Sequence, residues 1–265
     1  MPLTVLTDHA AITARLDDQL TADPVRATVL GTIRSSLRAS AWAAAGTDGL
    51  AVRSDASYPV TLAGHWSAAE RAELAGLLRG LGDVHGLGGP AEDVAALAEV
   101  VGAGREQERM TQRLYRLDEL TPPTDVTGTG RLMRPQERDT VIAWYAAFLL
   151  GDLVRDPLTA RAEATERVGG PGEFWLWCDP DSQPVSLAAR RAAQSGSARV
   201  GPVYTPPEQR GHGYGSAATA AATASILAEG SVPVLFTDVA NPTSNKIYQQ
   251  LGYYPVEDRL LVTLR

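Results

Sequence analysis

The residues with the clearest chemical potential lie in the glycine-rich segment Val200–Thr219, VGPVYTPPEQRGHGYGSAAT. The pattern predicts a strand that ends at Thr205, then a loop, then a helix whose entrance holds Gly211, Gly213 and Gly215. Glycine lets a backbone approach a ligand closely. The first N–H groups of a helix have no partner inside the helix, so they can bind an anion. The segment therefore predicts a phosphate or pyrophosphate site, and a glycine turn made only for packing is the alternative.

Three kinds of phosphate site are compatible with a glycine-rich helix entrance. A Walker loop is excluded because no Gly-Lys-Ser/Thr sequence is present. A dinucleotide site is favoured by Asp238, which stands near the end of the following predicted strand. However, residues 205–209 separate the strand from the glycines, and the remaining chain has room for only one crossover and a final strand. An acyl-CoA site is the third possibility.

A second unusual segment is NPTSNKIY, residues 241–248. It holds both asparagines and the only lysine of an arginine-rich sequence. Because asparagine is absent from the rest of the chain, the two amides indicate a specific role for this segment. Asn241 and Tyr248 are seven residues apart, which places them on one face of a helix. Asn241 can also cap that helix ahead of Pro242, whereas Asn245 lies mid-helix. At this helical spacing, Tyr248 can pack the helix against a sheet.

The elements that must position these residues follow from hydrophobic periodicity and turn residues. In the second half we predict strands over 130–134, 173–178, 184–192, 197–204, 232–239 and 253–264, and helices over 136–150, 158–168, 215–229 and 242–251. In the first half we predict helices over 10–20, 24–36, 67–81 and 91–101, and strands over 42–45, 49–53, 58–66 and 110–117. The fold class is therefore α/β with a mixed sheet.

The chain divides at LTPPTDVTGTG, residues 120–130, which has the composition of a linker. We predict an N-terminal α/β domain over 1–125 and a second domain over 126–265. The first half has no chemical motif. Its GLGGP segment, residues 86–90, has glycines but no arginine and no good strand before it. We therefore expect one active site per chain.

Composition excludes several classes of protein. The chain has 265 residues, 44% of them hydrophobic and 21% charged, which is typical of a globular protein. A net charge of −7 gives no sign of a nucleic-acid partner. One cysteine excludes an intrachain disulfide, and the four histidines are too scattered to predict a metal site. The N-terminus does not resemble a secretory signal and no apolar run could span a bilayer, so we expect a cytoplasmic protein.

The two unusual segments together resemble the GNAT superfamily of N-acetyltransferases. Arg210, Gly213 and Gly215 match its R/Q-x-x-G-x-G/A signature, and residues 241–255 resemble its second cofactor motif. The resemblance covers about residues 130–265, with both motifs in the family's order. It implies a GNAT-like fold in the C-terminal half and acetyl-CoA as the acyl donor.

The resemblance also implies roles for individual residues. The backbone of the strand end would hold the pantetheine arm, and the glycine loop would hold the pyrophosphate. Tyr248 would be the catalytic acid, and the N–H of Val203 would stabilise the oxyanion. The implied cofactor-binding residues are Val203, Tyr204, Thr205, Arg210, Gly211, His212, Gly213, Tyr214, Gly215, Ser216, Asn241, Asn245 and Tyr248.

The general base and the acceptor stay open at this stage. Some members of the family keep a glutamate on the strand before the glycine loop, but residues 197–205 contain no acid. Asp238, Glu173 and a chain of waters are the candidates for the base; the family's use of the loop favours cofactor contact for His212.

The acceptor is expected to be an amine, on a small molecule or a peptide. Three arginines on neighbouring strands, Arg190, Arg191 and Arg199, would either recognise an acidic acceptor or form a solvated sheet edge. A non-catalytic acyl-CoA sensor is the alternative function. The first half resembles a degenerate acetyltransferase-like domain in its mixture of strands and helices.

Overall fold

The computed structural model describes residues 2–152, 156–170 and 172–265. These residues form two compact units. The first unit holds the chain up to residue 115 together with 236–242 and 255–265, and the second holds 116–235 and 243–254. The division into consecutive domains over 1–125 and 126–265 stays a prediction, since the compact units assign two late segments to the first unit.

The first unit contains strands and helices in close succession. They are β1 (Thr4–Leu6), α1 (His9–Ala22), α2 (Thr28–Arg34), β2 (Trp42–Ala45), β3 (Leu50–Arg53), β4 (Val60–Ala63), α3 (Ala68–Leu81), β5 (Gly86–Pro90), α4 (Ala91–Val101) and most of β6 (Gln107–Leu117). Strands β1 to β4 are antiparallel neighbours, and β5 lies parallel to β4. The late segment 255–265 carries most of β12 (Tyr253–Leu264), which pairs antiparallel with β5.

The second unit repeats this arrangement, and most of its elements are longer. They are β7 (Thr129–Leu132), α5 (Arg138–Asp152), α6 (Pro157–Gly169), β8 (Glu173–Cys178), β9 (Pro184–Arg190), β10 (Ser197–Tyr204), α7 (Tyr214–Ala228), the start of β11 (Val232–Asp238) and α8 (Pro242–Gln250). Strands β7 to β10 are antiparallel neighbours, and β11 lies parallel to β10. The mixed α/β fold predicted from the sequence is confirmed.

Both halves of the chain follow one element order. A strand is followed by two helices, three strands, a helix, a strand, a helix and a last strand, from β1 to β6 and again from β7 to β12. In both series the fourth and fifth strands form the parallel pair. The chain is therefore a structural repeat, although its sequence shows no clear internal repeat.

Small residues position α7 close to the sheet of the second unit. A Cβ atom on Gly130 of β7 would lie 2.5 Å from the Cβ of Ala221 on α7, closer than two carbon atoms can approach. The alanine-rich helix buries Ala217, Ala218, Ala220 and Ala222. On the other face, α5 and α6 pack on β8 and β9 through Val141, Ala160, Ala164 and Leu187, among others. Large side chains on α7 would lift the helix from the strands it covers.

The structure corrects one prediction for the first half and adds a strand for which no prediction was made. The helix predicted over 24–36 begins only at Thr28, because the Asp23 carboxylate accepts the N–H of Arg26 at 2.9 Å and closes a turn there. GLGGP is itself strand β5, with Gly88 opposite Leu261 of β12. A Cβ on Gly86 would lie 2.7 Å from the carbonyl oxygen of Val262, so this glycine serves close backbone approach.

Strand β1, Thr4–Leu6, was not predicted. No helix within the described ranges is both long and apolar enough to cross a membrane.

Candidate functional site

A bulge interrupts β10 just before the residues expected to hold the pantetheine arm. Val200 lies opposite Arg190 of β9, whereas Val203 lies opposite Ala188, so β10 has one extra residue there. The extra residue falls in the Gly201–Pro202 step, where Gly201 has φ +134°. The parallel register with β11 covers Ser197 to Val200, on the other side of the bulge from Val203. Bulges redirect backbone groups next to active sites, and the Gly-Pro pair inside a strand was the sequence signal for this one.

Hydrogen bonds fix the end of β10 against the start of α7. The hydroxyls of Ser186 on β9 and Thr205 share a hydrogen bond of 2.9 Å, and the Ser186 hydroxyl reaches the carbonyl oxygen of Tyr204 at 3.2 Å. A Cβ on Gly215 would lie 3.1 Å from the Thr205 hydroxyl. Gly215 therefore allows the helix to begin beside the strand end. Ser186 is fully buried and was not predicted, because a serine in an apolar strand has no distinguishing sequence signal.

Arg210 closes the loop that joins β10 to α7. Its side chain is exposed, and its Nε donates a hydrogen bond to the carbonyl oxygen of Thr205 at 3.1 Å. A short 3-10 turn, Pro207–Gln209, leads into it. The structure thus gives the motif arginine a role in shaping the loop. Its role toward a cofactor stays a prediction.

The next residues form an open aromatic surface. The rings of His212 and Tyr214 are stacked, with centroids 5.4 Å apart and planes 17° apart. His212 Nδ1 lies 3.4 Å from the carbonyl oxygen of Gln209. Two flat rings beside a helix entrance give a ligand a surface to pack against.

The entrance of α7 is open toward an anion. Gly213 is the N-cap residue, with φ +78°, and no side chain in the described part of the chain caps this helix. The N–H groups of Tyr214, Gly215 and Ser216 belong to the first turn, which has no intrahelical acceptors. A Cβ on Gly211 would meet only open space. The dipole of a helix of 15 residues adds to the attraction, so these residues fit a phosphate-bearing cofactor.

Gly213 has a second constraint that the sequence did not reveal. A Cβ at this position would lie 2.7 Å from Cγ2 of Val126, from the segment before β7. Both the positive φ and this contact therefore require glycine at position 213, independently of any ligand.

Tyr248 lies half-buried on α8, and its ring packs on Tyr253 with centroids 6.2 Å apart. The Tyr253 hydroxyl shares a 2.7 Å hydrogen bond with Thr223 of α7. Burial raises the pKa of Tyr253 far above its usual value, so Tyr253 stays protonated and structural. Asn245 is half-buried one turn before Tyr248, and Asn241 is exposed just before Pro242. Tyr248 thus has a packing role, and its catalytic role stays a prediction.

Two candidate bases are held by structural contacts. The Asp238 carboxylate accepts the N–H of Ala240 at 2.8 Å, which forms the turn after β11. The Glu173 carboxylate accepts a hydrogen bond from the Trp175 indole at 3.0 Å and lies 3.6 Å from the guanidinium of Arg190. Neither arrangement identifies a general base.

The prediction of a solvated sheet edge is wrong for Arg190. This side chain is 5% exposed and bonds to Glu229 at 2.6 Å and to Ser225 at 3.0 Å, at the C-terminal end of α7. Arg191 and Arg199 are half-buried on the other side of the sheet, toward α5, where Arg191 Nη2 donates to the Tyr145 hydroxyl at 3.4 Å.

One family model matches the region of the chain that contains this site. The family model described as FR47-like protein matches residues 180–262, which include β10, the glycine loop and α8. No curated protein sequence matches the chain.

Solved structures match over nearly the whole length. An acetyltransferase of the GNAT family from Colwellia psychrerythraea has 12% identity and a TM-score of 0.63, covering 100% of this chain and 99% of that one. A GCN5-related N-acetyltransferase from Kribbella flavida has 18% identity and a TM-score of 0.61, covering 96% and 99%. A tandem GNAT protein from the clavulanic acid biosynthesis pathway has 15% identity and a TM-score of 0.59, covering 99% and 98%.

These likenesses cover both halves of the chain, including the first half, where no motif was found in the sequence. At such low identity they establish the fold. The GNAT-like fold that the resemblance implies is therefore confirmed, and it extends along nearly the whole chain.

Proposed function

We propose that this chain is an acetyl-CoA-dependent N-acetyltransferase that transfers an acetyl group directly to a primary amine. The observation that carries the proposal is the open entrance of α7, which follows a bulged strand and a glycine loop. The FR47-like match over residues 180–262 supports it, because those residues include both cofactor segments.

The chain's own residues would divide the binding between them. The first-turn N–H groups of α7 and the backbone of Gly211 would hold the pyrophosphate. The backbone of Val203, Tyr204 and Thr205 would align the pantetheine arm along the end of β10. The His212 and Tyr214 rings would border the phosphates. Acetyl-CoA supplies, when bound, an acyl group already activated as a thioester.

Two groups are proposed to act in the transfer. The N–H of Val203, beyond the bulge, would stabilise negative charge on the thioester oxygen as the amine attacks the carbonyl carbon. The Tyr248 hydroxyl would donate a proton to the departing sulfur as the carbon–sulfur bond breaks. A thiol has a pKa near ~8.5, so the thiolate already leaves readily and the acid contributes moderately. With Asp238 and Glu173 held elsewhere, we assign deprotonation of the amine to water.

One observation favours the second candidate, a non-catalytic acyl-CoA sensor. The ring of Tyr248 packs on Tyr253, so this tyrosine would be needed for stability even without catalysis. The two functions share the cofactor site and differ only in turnover.

Two measurements test these proposals in order. Acetyl-CoA should raise the melting temperature of the chain, since a ligand that binds only the folded state stabilises it, while NAD should not. A larger shift with NAD would contradict the acyl-CoA assignment and favour a dinucleotide site. Release of free thiol from acetyl-CoA in the presence of an amine library then separates the enzyme from the sensor, because a sensor binds acetyl-CoA and releases no thiol.

A further inference from the structure

We propose that Ser186 is a positioning residue for the pantetheine arm of acetyl-CoA, because its hydroxyl fixes the last peptide of β10 so that the N–H of Thr205 faces the arm. The role rests on the proposed function, since Ser186 can position this arm only if the chain binds acyl-CoA. It adds a buried residue from a different strand, β9, to a site whose other proposed residues lie on the two cofactor segments.

The Ser186 hydroxyl has two partners at the end of β10. It donates a hydrogen bond to the carbonyl oxygen of Tyr204 at 3.2 Å. A serine hydroxyl has only one proton, so the Thr205 hydroxyl, 2.9 Å away, donates to Ser186 in turn. Two linked hydrogen bonds thus lead from the Thr205 hydroxyl through Ser186 to the Tyr204 carbonyl. Ser186 is fully buried, so bulk water does not compete for these bonds.

The bond to Ser186 decides where the next N–H group points. Because Ser186 lies on β9, the Tyr204 carbonyl is directed to the β9 side of β10. In a trans peptide the C=O and the following N–H point in opposite directions. The N–H of Thr205 therefore points away from β9. The N–H of Val203 points the same way, because backbone groups alternate between the two sides of a strand.

The N–H of Thr205 is open on that side of β10. The parallel pairing with β11 ends at Val200, before the bulge. The N–H of Thr205 has no acceptor among the residues that the structure describes. Thr205 is half-buried, so an acceptor on a ligand would satisfy this donor. The pantetheine arm has two amide groups, whose carbonyl oxygens can accept such a bond in the manner of a neighbouring strand.

The phosphate part of the site depends on other contacts. The first-turn N–H groups of α7 are presented by the helix itself, directly after Gly213. The loop before them is held by Arg210, whose Nε donates to the carbonyl oxygen of Thr205 at 3.1 Å. Removal of the Ser186 hydroxyl therefore leaves the phosphate donors in place and frees the peptide that presents the Thr205 N–H.

The first unit lacks this hydroxyl at the corresponding place. Leu50 of β3 lies opposite the last residue of β4, as Leu187 of β9 lies opposite the last residue of β10. The residue before Leu187 is Ser186, whereas the residue before Leu50 is Gly49, which has no side chain to direct a peptide. The same order of elements thus forms without the hydroxyl, and the hydroxyl is present in the unit that has the open helix entrance.

The first test compares two ligands on matched variants by isothermal calorimetry. CoA has both parts, whereas 3′-phospho-ADP is its nucleotide part without the pantetheine arm. We expect Ser186→Ala to bind CoA about tenfold more weakly than wild type, corresponding to ~1.4 kcal/mol, with unchanged affinity for 3′-phospho-ADP. Ser225→Ala, which removes a hydroxyl bonded to Arg190 at the far end of α7, should bind both ligands as wild type does.

The outcomes of this test separate the positioning role from the proposed function. Equal weakening of both ligands in Ser186→Ala would mean that Ser186 supports the site only structurally, and would overturn the positioning role. Unchanged CoA affinity in Ser186→Ala would also overturn that role, while leaving the acyl-CoA site intact. Wild type that binds neither CoA nor 3′-phospho-ADP would instead refute the proposed function.

A second measurement needs no variant, so it does not depend on how well Ser186→Ala folds. Amide hydrogen exchange of the wild-type chain is followed by NMR without ligand, with CoA and with 3′-phospho-ADP. We expect CoA to slow exchange of the Thr205 N–H, and 3′-phospho-ADP to leave it unchanged. The Tyr204 N–H, which faces β9, should exchange at the same rate in all three samples. Thr205 exchange that saturating CoA does not slow, or that both ligands slow equally, would overturn the proposal.

Discussion

The two helix entrances at the same place in the repeat differ in what satisfies their N–H groups. Residues 64–67 join β4 to α3, and residues 205–213 join β10 to α7. At α3 the N-cap is Ser67, whose hydroxyl accepts the N–H of Glu70 at 3.3 Å. The Glu70 carboxylate returns to the backbone N–H of Ser67 at 2.9 Å and to that of Thr47 at 2.8 Å. At α7 the N-cap is Gly213, which has no side chain to offer.

The last helix of each series shows the same contrast. The seventh residue of α8 is Tyr248, half-buried, and the seventh residue of α4 is Leu97, which is 1% exposed and belongs to the core of the first unit. Helix α4 has neither asparagine nor tyrosine. The same element order thus leaves the polar groups of one helix entrance open and satisfies those of the other internally.

The largest effect is expected from a variant in which α7 carries a first-turn carboxylate, as α3 does. Ser216 is the third residue of α7, as Glu70 is of α3. Ser216→Glu should weaken acetyl-CoA binding about 1,000-fold, because like charges brought together at a binding site cost several kcal/mol. The fold should be kept, since an acidic residue in the first helical turn is stabilising by about 0.3–1 kcal/mol. Isothermal calorimetry measures the affinity, and thermal melts measure the stability.

The matched control for this variant is Ser216→Gln, which has the same size without the charge. It should lose far less affinity than Ser216→Glu. Equal losses of affinity in the two variants would mean that the size of the side chain at position 216, and not its charge, decides whether acetyl-CoA binds. Wild type should bind one acetyl-CoA per chain, and a stoichiometry of two would contradict the contrast with α3.

A smaller effect is expected from Tyr248→Phe, which keeps the ring that packs on Tyr253. General acids contribute typically ~10²–10⁴-fold, and a thiolate leaves readily, so kcat should fall about 100-fold with little change in KM for acetyl-CoA. The high-pH limb of kcat, which reports loss of the acid, should also disappear. If kcat and that limb both stay as in wild type, Tyr248 is structural, like Leu97 at the corresponding position.

The smallest effect is expected from a substitution at Glu70 of the first unit, and it concerns stability and not acetyl-CoA binding. N–H groups of Thr47 and Ser67, with the Ser67 hydroxyl, lower the pKa of Glu70 to about 2. A carboxyl whose pKa is lower in the folded chain stabilises it above the unfolded pKa of ~4.3, and this contribution is lost as the pH falls toward about 2. Glu70→Gln should therefore lower the melting temperature by a few degrees at pH 7, with the difference shrinking below about pH 4. Acetyl-CoA affinity at pH 7 should not change.

The residue pattern predicted most of the helices and strands. Strands β8, β10 and β12 have the predicted bounds, because alternating or continuous apolar residues are framed there by clear turns. The capping box of α3 was also visible as Ser67 followed by Glu70. The strand at GLGGP was missed because a distant part of the chain decides the structure there. GLGGP becomes β5 because β12, far away in sequence, pairs with it.

The candidate site was predictable in its residue types and less so in its geometry. Nothing near Gly213 in sequence indicates that Val126 lies against it. A Gly213→Val variant would therefore disturb the loop as well as any ligand, so Ser216→Glu tests the site more cleanly. Similarly, Arg190 and Arg191 are neighbours in sequence but lie on opposite faces of the sheet. Arg190 bonds to the Glu229 carboxylate, whereas Arg191 bonds to the Tyr145 hydroxyl, and the sequence does not show this difference.

The capping box of α3 has a consequence for ligand competition. Its carboxylate already occupies the position that an incoming phosphate would take, and it is tethered three residues away. A group on so short a tether acts at an effective concentration in the millimolar range or above. A free anion at micromolar concentration cannot displace it from α3. A carboxylate in the first turn thus competes at all times with an external anion for the helix N-terminus. A single substitution that introduces such a carboxylate would abolish binding of an external anion and would also stabilise the helix.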